Sequence, residues 1–138
     1  MFNANSLKIA VDFDGTIVEN KYPDIGKPKL FAFDTLKRLQ NDGNLLILWT
    51  YRYGKKLEEA VEFCKSNGIE FYAVNKSFPE EEYSPQDMSR KIDADIFIDD
   101  RNIGGLYGWG EIYQMITNQK IEFENPKKGF LSKLFKNS

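Results

Sequence analysis

The chain has 138 residues, of which 41% are hydrophobic and 14% aromatic, and its net charge at pH 7 is −2. This length and composition predict one folded domain with a hydrophobic core and exclude a disordered chain. The slightly acidic balance argues against a general nucleic-acid binder. No apolar stretch approaches the ~18 residues of a membrane span, so we predict no membrane-spanning segment.

Histidine is absent, and Cys64 is the single cysteine. These absences exclude a Ser-His-Asp triad, a Cys-His pair, imidazole-bound zinc and an internal disulfide. Cys64 falls on the apolar stripe of a helix, so we predict a small core residue. The first six residues have neither a basic start nor a long apolar run, which predicts a cytoplasmic protein.

Strand-like and helix-like segments alternate along the chain. The apolar pattern predicts strands at 8–11, 45–49, 69–74 and 95–98. It predicts helices that begin near Leu30 and Leu57, a brief helix or turn after Ser84, and a last helix over 111–118. This alternation is typical of an α/β fold with a doubly wound, mostly parallel sheet, a Rossmann-like three-layer sandwich. We predict a single domain over residues 1–138.

The basic tail, residues 127–138, carries four lysines beside two phenylalanines and two leucines. A membrane-surface or partner helix would have this pattern, and so would a docked or frayed terminal helix with solvated lysines. We favour the second interpretation, in which the tail is peripheral.

Carboxylates are predicted to collect at one edge of the sheet, because ligands in an open parallel sheet bind outside the carboxyl ends of the strands. The first, second and fourth strands are followed there by Asp12 and Asp14, by Thr50, and by Asp99 and Asp100. Four carboxylates in one crevice repel one another. A divalent cation relieves this repulsion, and ligands that are all oxygen select a hard cation such as Mg²⁺.

These residues resemble the four motifs of the haloacid dehalogenase superfamily. The motifs correspond in order to Asp12-Phe13-Asp14-Gly15-Thr16, Thr50, a lysine, and Asp99-Asp100, and the match spans positions 8 to about 103. The resemblance implies a small phosphatase-like member, a phosphoric monoester hydrolase that depends on Mg²⁺ and forms an aspartyl-phosphate. Because the second acid of the first motif is present, the family pattern favours phosphoester hydrolysis over dehalogenation.

The resemblance also implies catalytic roles. Asp12 would attack phosphorus, since a carboxylate is a competent nucleophile. Asp14 would protonate the leaving oxygen and then take a proton from the hydrolytic water. Thr50 and the backbone N–H groups beside Asp14 and Gly15 would bind the phosphoryl oxygens. Arg52, just past Thr50, is an additional candidate for substrate contact, although it could equally be an ion-pair partner at the surface.

The implied Mg²⁺ ligands are Asp12, the backbone carbonyl of Asp14, and Asp99 with or without Asp100. The motif lysine is assigned to Lys91, which lies only eight residues before Asp99. That spacing is short for the family, and Lys76, after the third strand, is the alternative.

No insertion is long enough for a cap domain, which predicts an open site. A small phosphorylated substrate fits such a site, and a bulkier one is possible. The loop over 19–28 could shield it, with Tyr22, Pro23, Asp24 and Lys27 as candidates for substrate contact. A homo-oligomer is also possible. Two other functions stay open: a catalytically silent metal- or phosphate-binding regulatory module, and a phosphotransferase to an acceptor other than water.

Overall fold

The computed structural model of the protein describes residues 6–124, with side chains described up to residue 118. The strands are β1 (Lys8–Val11), β2 (Leu45–Leu48), β3 (Ala73–Val74) and β4 (Ile96–Ile98). The helices are α1 (Ala32–Asn41), α2 (Gly54–Ser66) and α3 (Trp109–Glu124). The basic tail lies outside the described residues, so its placement stays a prediction.

All four strands are parallel, and their order in the sheet is β3-β2-β1-β4. The chain builds the sheet outward from β1 through β2 to β3, then returns to place β4 on the other side of β1. This reversal at β1 is the topological switch point of a doubly wound sheet, beside which ligands bind. The predicted α/β, Rossmann-like fold is confirmed, and no cap domain interrupts the described residues.

Alternating side chains of the strands divide the core between the two faces of the sheet. Ile9 and Val11 belong to a large cluster with buried residues of α1, α2 and α3. Ala10 and Ile47 face the other way and pack with Ile92, from the segment between β3 and β4. The sheet therefore lies between a helical layer and a layer formed by this connecting segment, as a strand period of two residues requires.

The third strand is shorter than predicted. Of the predicted residues 69–74, only Ala73 and Val74 form a strand. The N–H of Ile69 instead donates to the carbonyl of Cys64 at the end of α2, and the contact with β2 begins where the Tyr72 N–H donates to Leu46 O. The start of this apolar run therefore belongs to the end of α2 and not to β3. An apolar run alone does not distinguish these two structures.

Two smaller predictions can also be compared with the structure. The segment after Ser84 is a turn, in which the Ser84 carbonyl accepts hydrogen bonds from the N–H groups of Asp87 and Met88. Cys64 is fully buried in the helical cluster, as predicted, and burial raises the pKa of its thiol to about 12. No helix within residues 6–124 has the length and apolar character needed to cross a bilayer.

Candidate active site

Three carboxylates meet at the carboxyl ends of β1 and β4. Oxygen atoms of Asp12, Asp99 and Asp100 all lie within 4.8 Å of one another. The parallel ladder, in which Val11 pairs with Ile98, brings these two strand ends together. The Asp12 N–H continues it by donating to Ile98 O at 3.0 Å. We call these three residues the acidic cluster.

The Thr16 hydroxyl forms hydrogen bonds with two members of the acidic cluster, Asp12 and Asp100. Its buried hydroxyl lies 2.9 Å from Asp12 Oδ2 and 3.2 Å from Asp100 Oδ1, and it accepts the Asp100 N–H at 3.0 Å. The Trp109 indole N–H donates to the Thr16 carbonyl at 3.1 Å. A hydroxyl has one proton to donate, so it serves one of the two carboxylates at a time. Thr16 had no predicted role of its own, and its position in the first motif was the available signal.

Gly15 leaves room for the Asp100 carboxylate. Its φ is +88°, in the region that favours glycine, and a Cβ there would collide with the Asp100 carboxylate. The Gly15 N–H donates to Val18 O at 2.8 Å, which corrects its predicted role in binding phosphoryl oxygens. The N–H groups of Phe13 and Asp14, by contrast, make no hydrogen bond with any residue that the structure describes.

Asp14 is not part of the acidic cluster and pairs with Arg52. Arg52 Nε lies 2.7 Å from Asp14 Oδ2, and Nη2 lies 2.8 Å from Oδ1; both side chains are fully buried. The other guanidinium N–H groups donate to the carbonyls of Pro23, Asp24 and Lys56. All five donors are therefore used, and the prediction that Arg52 contacts substrate is corrected: it positions Asp14.

Thr50 follows β2 and is well placed to donate a hydrogen bond. Its N–H donates to Asn75 Oδ1 at 2.8 Å, and its hydroxyl oxygen accepts the Arg52 N–H at 3.1 Å. The hydroxyl proton has no acceptor among the described residues. Asn75, at φ +56°, orients the end of β2 and was not foreseen from the sequence.

Burial and the neighbouring carboxylates together raise the pKa of Asp12. The pKa of Asp12 is raised from 3.8 to about 7, chiefly because burial disfavours the charged form. The Thr16 hydroxyl lowers this pKa, while the negative charges of Asp99 and Asp100 raise it further. The pKa of Arg52 is raised, first by its hydrogen bonds with Asp14. Asp12 therefore lacks the positive partner that Asp14 has.

A cavity of about 320 Å³ lies beside Asp12 and Asp99 of the acidic cluster. It is lined by Asp12, Asp14, Trp49, Thr50, Tyr51, Asp99 and Arg101. Among the described residues of this lining, Arg101 alone is positively charged. Arg101 was not foreseen from the sequence, although it directly follows Asp99-Asp100 after β4.

The structure does not bring Lys91 to the cavity, which corrects its assignment as the motif lysine. Its Nζ lies 5.9 Å from the centroid of the Phe97 ring, on the face covered by the segment between β3 and β4. Lys76, the alternative, is half-buried and does not line the cavity either. Both lysines belong to the irregular segment 75–95, whose path has no periodicity to predict it.

The loop over 19–28 reaches the site indirectly. Pro23 and Asp24 contribute backbone carbonyls to Arg52, and the Tyr22 ring packs on Tyr51. None of the four loop residues considered from the sequence, Tyr22, Pro23, Asp24 and Lys27, lines the cavity.

Comparison with known proteins gives a relative of the whole fold. The chain is similar to a solved structure of a conserved protein from Bacteroides thetaiotaomicron, with 55% sequence identity and a TM-score of 0.78 over 83% of this chain and 92% of the other. The chain belongs to the same family as this conserved protein. No protein-family model matches the sequence, and no curated protein matches it.

The donor set in this member of the family suits a hard divalent cation. The ligand atoms available from the acidic cluster are all carboxylate oxygens, and their mutual repulsion is one cause of the raised pKa of Asp12. The Asp14 side chain is directed at Arg52, so Asp14 has only its backbone carbonyl to offer a cation.

Proposed function

We propose that the protein is a Mg²⁺-dependent phosphomonoesterase of the haloacid dehalogenase type, with Asp12 as its nucleophile. The observation that carries this proposal is the convergence of Asp12, Asp99 and Asp100. Two of these residues, Asp12 and Asp99, line a cavity that Thr50 and Arg101 also line. A buried structural ion-pair network would pair its acids with bases, as Asp14 is paired. The acidic cluster has no such base among the described residues.

Asp12, Asp99 and Asp100 would hold the cation, joined by the Asp14 carbonyl. When bound, Mg²⁺ supplies charge neutralisation for the phosphoryl oxygens. Thr16 keeps the Asp12 and Asp100 carboxylates in register for this task through its hydroxyl.

The phosphoryl group would be bound by donors that the fold leaves free. These are the N–H groups of Phe13 and Asp14, the Thr50 hydroxyl and the Arg101 guanidinium. Backbone N–H groups at a turn of this kind form concave anion sites. Arg101 supplies the positive charge that the sequence assigned to Lys91.

In the first step an Asp12 oxygen bonds to phosphorus, the ester P–O bond breaks, and Asp14 gives a proton to the leaving oxygen. In the second step water bonds to phosphorus, the bond between phosphorus and Asp12 breaks, and Asp14 takes the proton of the water. Each Asp14 oxygen accepts one N–H from Arg52, so lone pairs remain for this proton.

The partners and location predicted from the sequence belong to the same proposal. We infer a small phosphorylated substrate in the cytoplasm and no nucleic-acid partner. A cavity of about 320 Å³ without a covering domain suits a small ester, and a bulkier one could extend outward.

The test measures phosphate release from an aryl phosphate with Mg²⁺ and after chelation. We expect Asp12→Asn to abolish release while the variant still folds. Asp34→Asn, which alters an exposed acid of α1, is the matched control and should retain full activity. Activity of Asp12→Asn close to that of the unmodified protein would contradict the proposed nucleophile.

A catalytically silent metal- or phosphate-binding module is the second candidate. The observation that favours it is that both Asp14 carboxylate oxygens accept hydrogen bonds from Arg52. The proposed acid and base is therefore already engaged in an ion pair. Calorimetric Mg²⁺ binding without phosphate release from a broad ester panel would select this candidate. Product analysis with added alcohols separates hydrolysis from transfer to another acceptor.

A further inference from the structure

The apolar part of the cavity lining is aromatic. Of the seven lining residues, Trp49 and Tyr51 are aromatic, and the other five are three aspartates, a threonine and an arginine. Tyr51 is 53% exposed at the edge of the cavity. An exposed ring beside a polar cavity offers a flat surface to whatever enters it.

The Tyr51 ring is held in place by a chain of contacts. Its centroid lies 5.0 Å from that of Tyr22, with an angle of 54° between the rings. The buried Arg52 guanidinium lies 5.2 Å from the Tyr22 centroid and 5.2 Å from that of Phe13. The contacts thus run from the core through Arg52 and Tyr22 to Tyr51. The Tyr51 ring is therefore packed against Tyr22 on one side.

We propose that the substrate is a phosphate ester whose alcohol carries a planar aromatic ring, and that this ring stacks on Tyr51. The inference rests on the proposed function and names its substrate class. The charged side chains of the lining and the Thr50 hydroxyl are assigned to the cation, the phosphoryl group or proton transfer, which leaves Trp49 and Tyr51 to meet the rest of the substrate. Of these two, Tyr51 is the more exposed, and a flat ring packs well against an exposed ring face.

The size of the cavity agrees with this substrate class. About 320 Å³ lies at the lower end of the range for small-molecule sites, enough for a phosphoryl group and one ring. The ring could belong to a simple aryl or benzyl ester or to the base of a nucleotide. Both sources share the stacking chemistry, and the experiment separates them.

The test compares two phosphonates that differ only in the flatness of the ring, benzylphosphonate and cyclohexylmethylphosphonate. Their affinities are measured by calorimetry with Mg²⁺. We expect the unmodified protein to bind benzylphosphonate about 3- to 10-fold more tightly, which is the range of an aromatic pair. Tyr51→Leu should remove this preference, and Tyr51→Phe should retain it. Uridine 5′-monophosphate is the third ligand, and its affinity relative to benzylphosphonate identifies the source of the ring.

Tyr53→Leu is the matched control, because Tyr53 is 78% exposed, lies two residues further along and does not line the cavity. It should leave the preference unchanged. Equal affinities in the unmodified protein, no binding of either phosphonate, or a preference that survives Tyr51→Leu would overturn the inference.

Turnover of benzyl and cyclohexylmethyl phosphate separates this inference from the proposed function. Both esters release a primary alcohol, so their intrinsic reactivities are similar. A ring preference in binding without turnover of either ester removes the proposed function and keeps the stacking site. Turnover of both esters at one rate without a binding preference removes the stacking site and keeps the phosphatase.

Discussion

Asp14 and Arg52 form a bidentate ion pair that is fully buried, with N–O distances of 2.7 and 2.8 Å. The same guanidinium binds the carbonyls of Pro23 and Asp24, in the loop over 19–28, and that of Lys56, in α2. One side chain therefore joins the first motif, a surface loop and a helix. Disturbing this pair affects both the stability of the fold and the orientation of Asp14.

The first prediction concerns the stability that the pair provides. We expect Arg52→Met to lower the free energy of unfolding by about 3–5 kcal/mol, because it leaves the Asp14 carboxylate buried without its partner. Urea denaturation at pH 7 measures this change. A second substitution, Asp14→Leu, should recover part of the loss by removing the orphaned charge.

Arg38→Met is the control for this experiment. Arg38 is exposed on α1, where its guanidinium lies 4.5 Å from the Tyr113 ring centroid. Its substitution should cost about 1 kcal/mol or less. A loss at Arg52 no larger than the loss at Arg38 would show that the buried pair contributes little.

The second prediction concerns the close approach of the Asp100 carboxylate to Gly15. Gly15→Ala should weaken Mg²⁺ binding by about 10- to 100-fold, the usual effect of disturbing the support of a metal ligand, because the new methyl group displaces the Asp100 carboxylate. Gly104→Ala is the matched control, since its φ of +91° imposes similar backbone strain and its Cβ would meet no atom within 4 Å. Calorimetry with Mg²⁺ compares the two. Equal affinities would argue against Asp100 as a ligand.

The third prediction concerns pH. The pKa of Asp12 is about 7 in the folded protein and 3.8 as its ordinary value, so between these values the folded state binds the proton more tightly. The contribution of Asp12 to stability is therefore present below pH 4 and is lost as the pH rises to 7. Urea midpoints of the metal-free protein should fall between pH 5 and pH 7 more steeply than those of Asp12→Asn. Identical slopes for the two proteins would contradict this assignment.

The acidic cluster was predictable because the rule behind it is topological. Parallel strands bring their carboxyl ends together, so acids directly after β1 and β4 come close once the strands are neighbours. Asp14, two residues further along, was also expected there and instead pairs with Arg52. Asp12, Asp99 and Asp100 do meet. The apolar runs were sufficient to locate the ends of these strands. Placing the acids there required no information about side-chain packing.

The partner of Asp14 was not predictable in the same way. Arg52 follows Thr50 at the edge where a substrate was expected, and nothing in its sequence position distinguishes a substrate contact from an ion pair. The choice depends on the loop over 19–28, whose Pro23 and Asp24 carbonyls complete the shell around the guanidinium. The sequence indicates that a loop is present there, and only the folded chain shows where its carbonyls point.

The fourth prediction tests which cation meets the phosphoryl group. Arg101 lines the cavity, whereas Lys91 lies over Phe97 outside it. We expect Arg101→Gln to weaken the binding of inorganic phosphate, measured with Mg²⁺ present, by about 3- to 10-fold; the guanidinium is exposed and its charge is partly screened, so the effect falls below that of a buried charged hydrogen bond. Lys91→Gln and Lys76→Gln should leave phosphate binding unchanged.

The three substitutions each remove one positive charge, so a general loss of attraction between protein and anion would weaken phosphate binding equally in all of them. Raising the ionic strength screens such a general effect and should leave the difference between Arg101→Gln and Lys91→Gln in place. If Lys91→Gln instead has the larger effect, segment 75–95 must carry Lys91 to the cavity when phosphate binds. Lys91 would then be the lysine that contacts phosphate, as predicted from the sequence, and Arg101 would line the cavity without contacting phosphate.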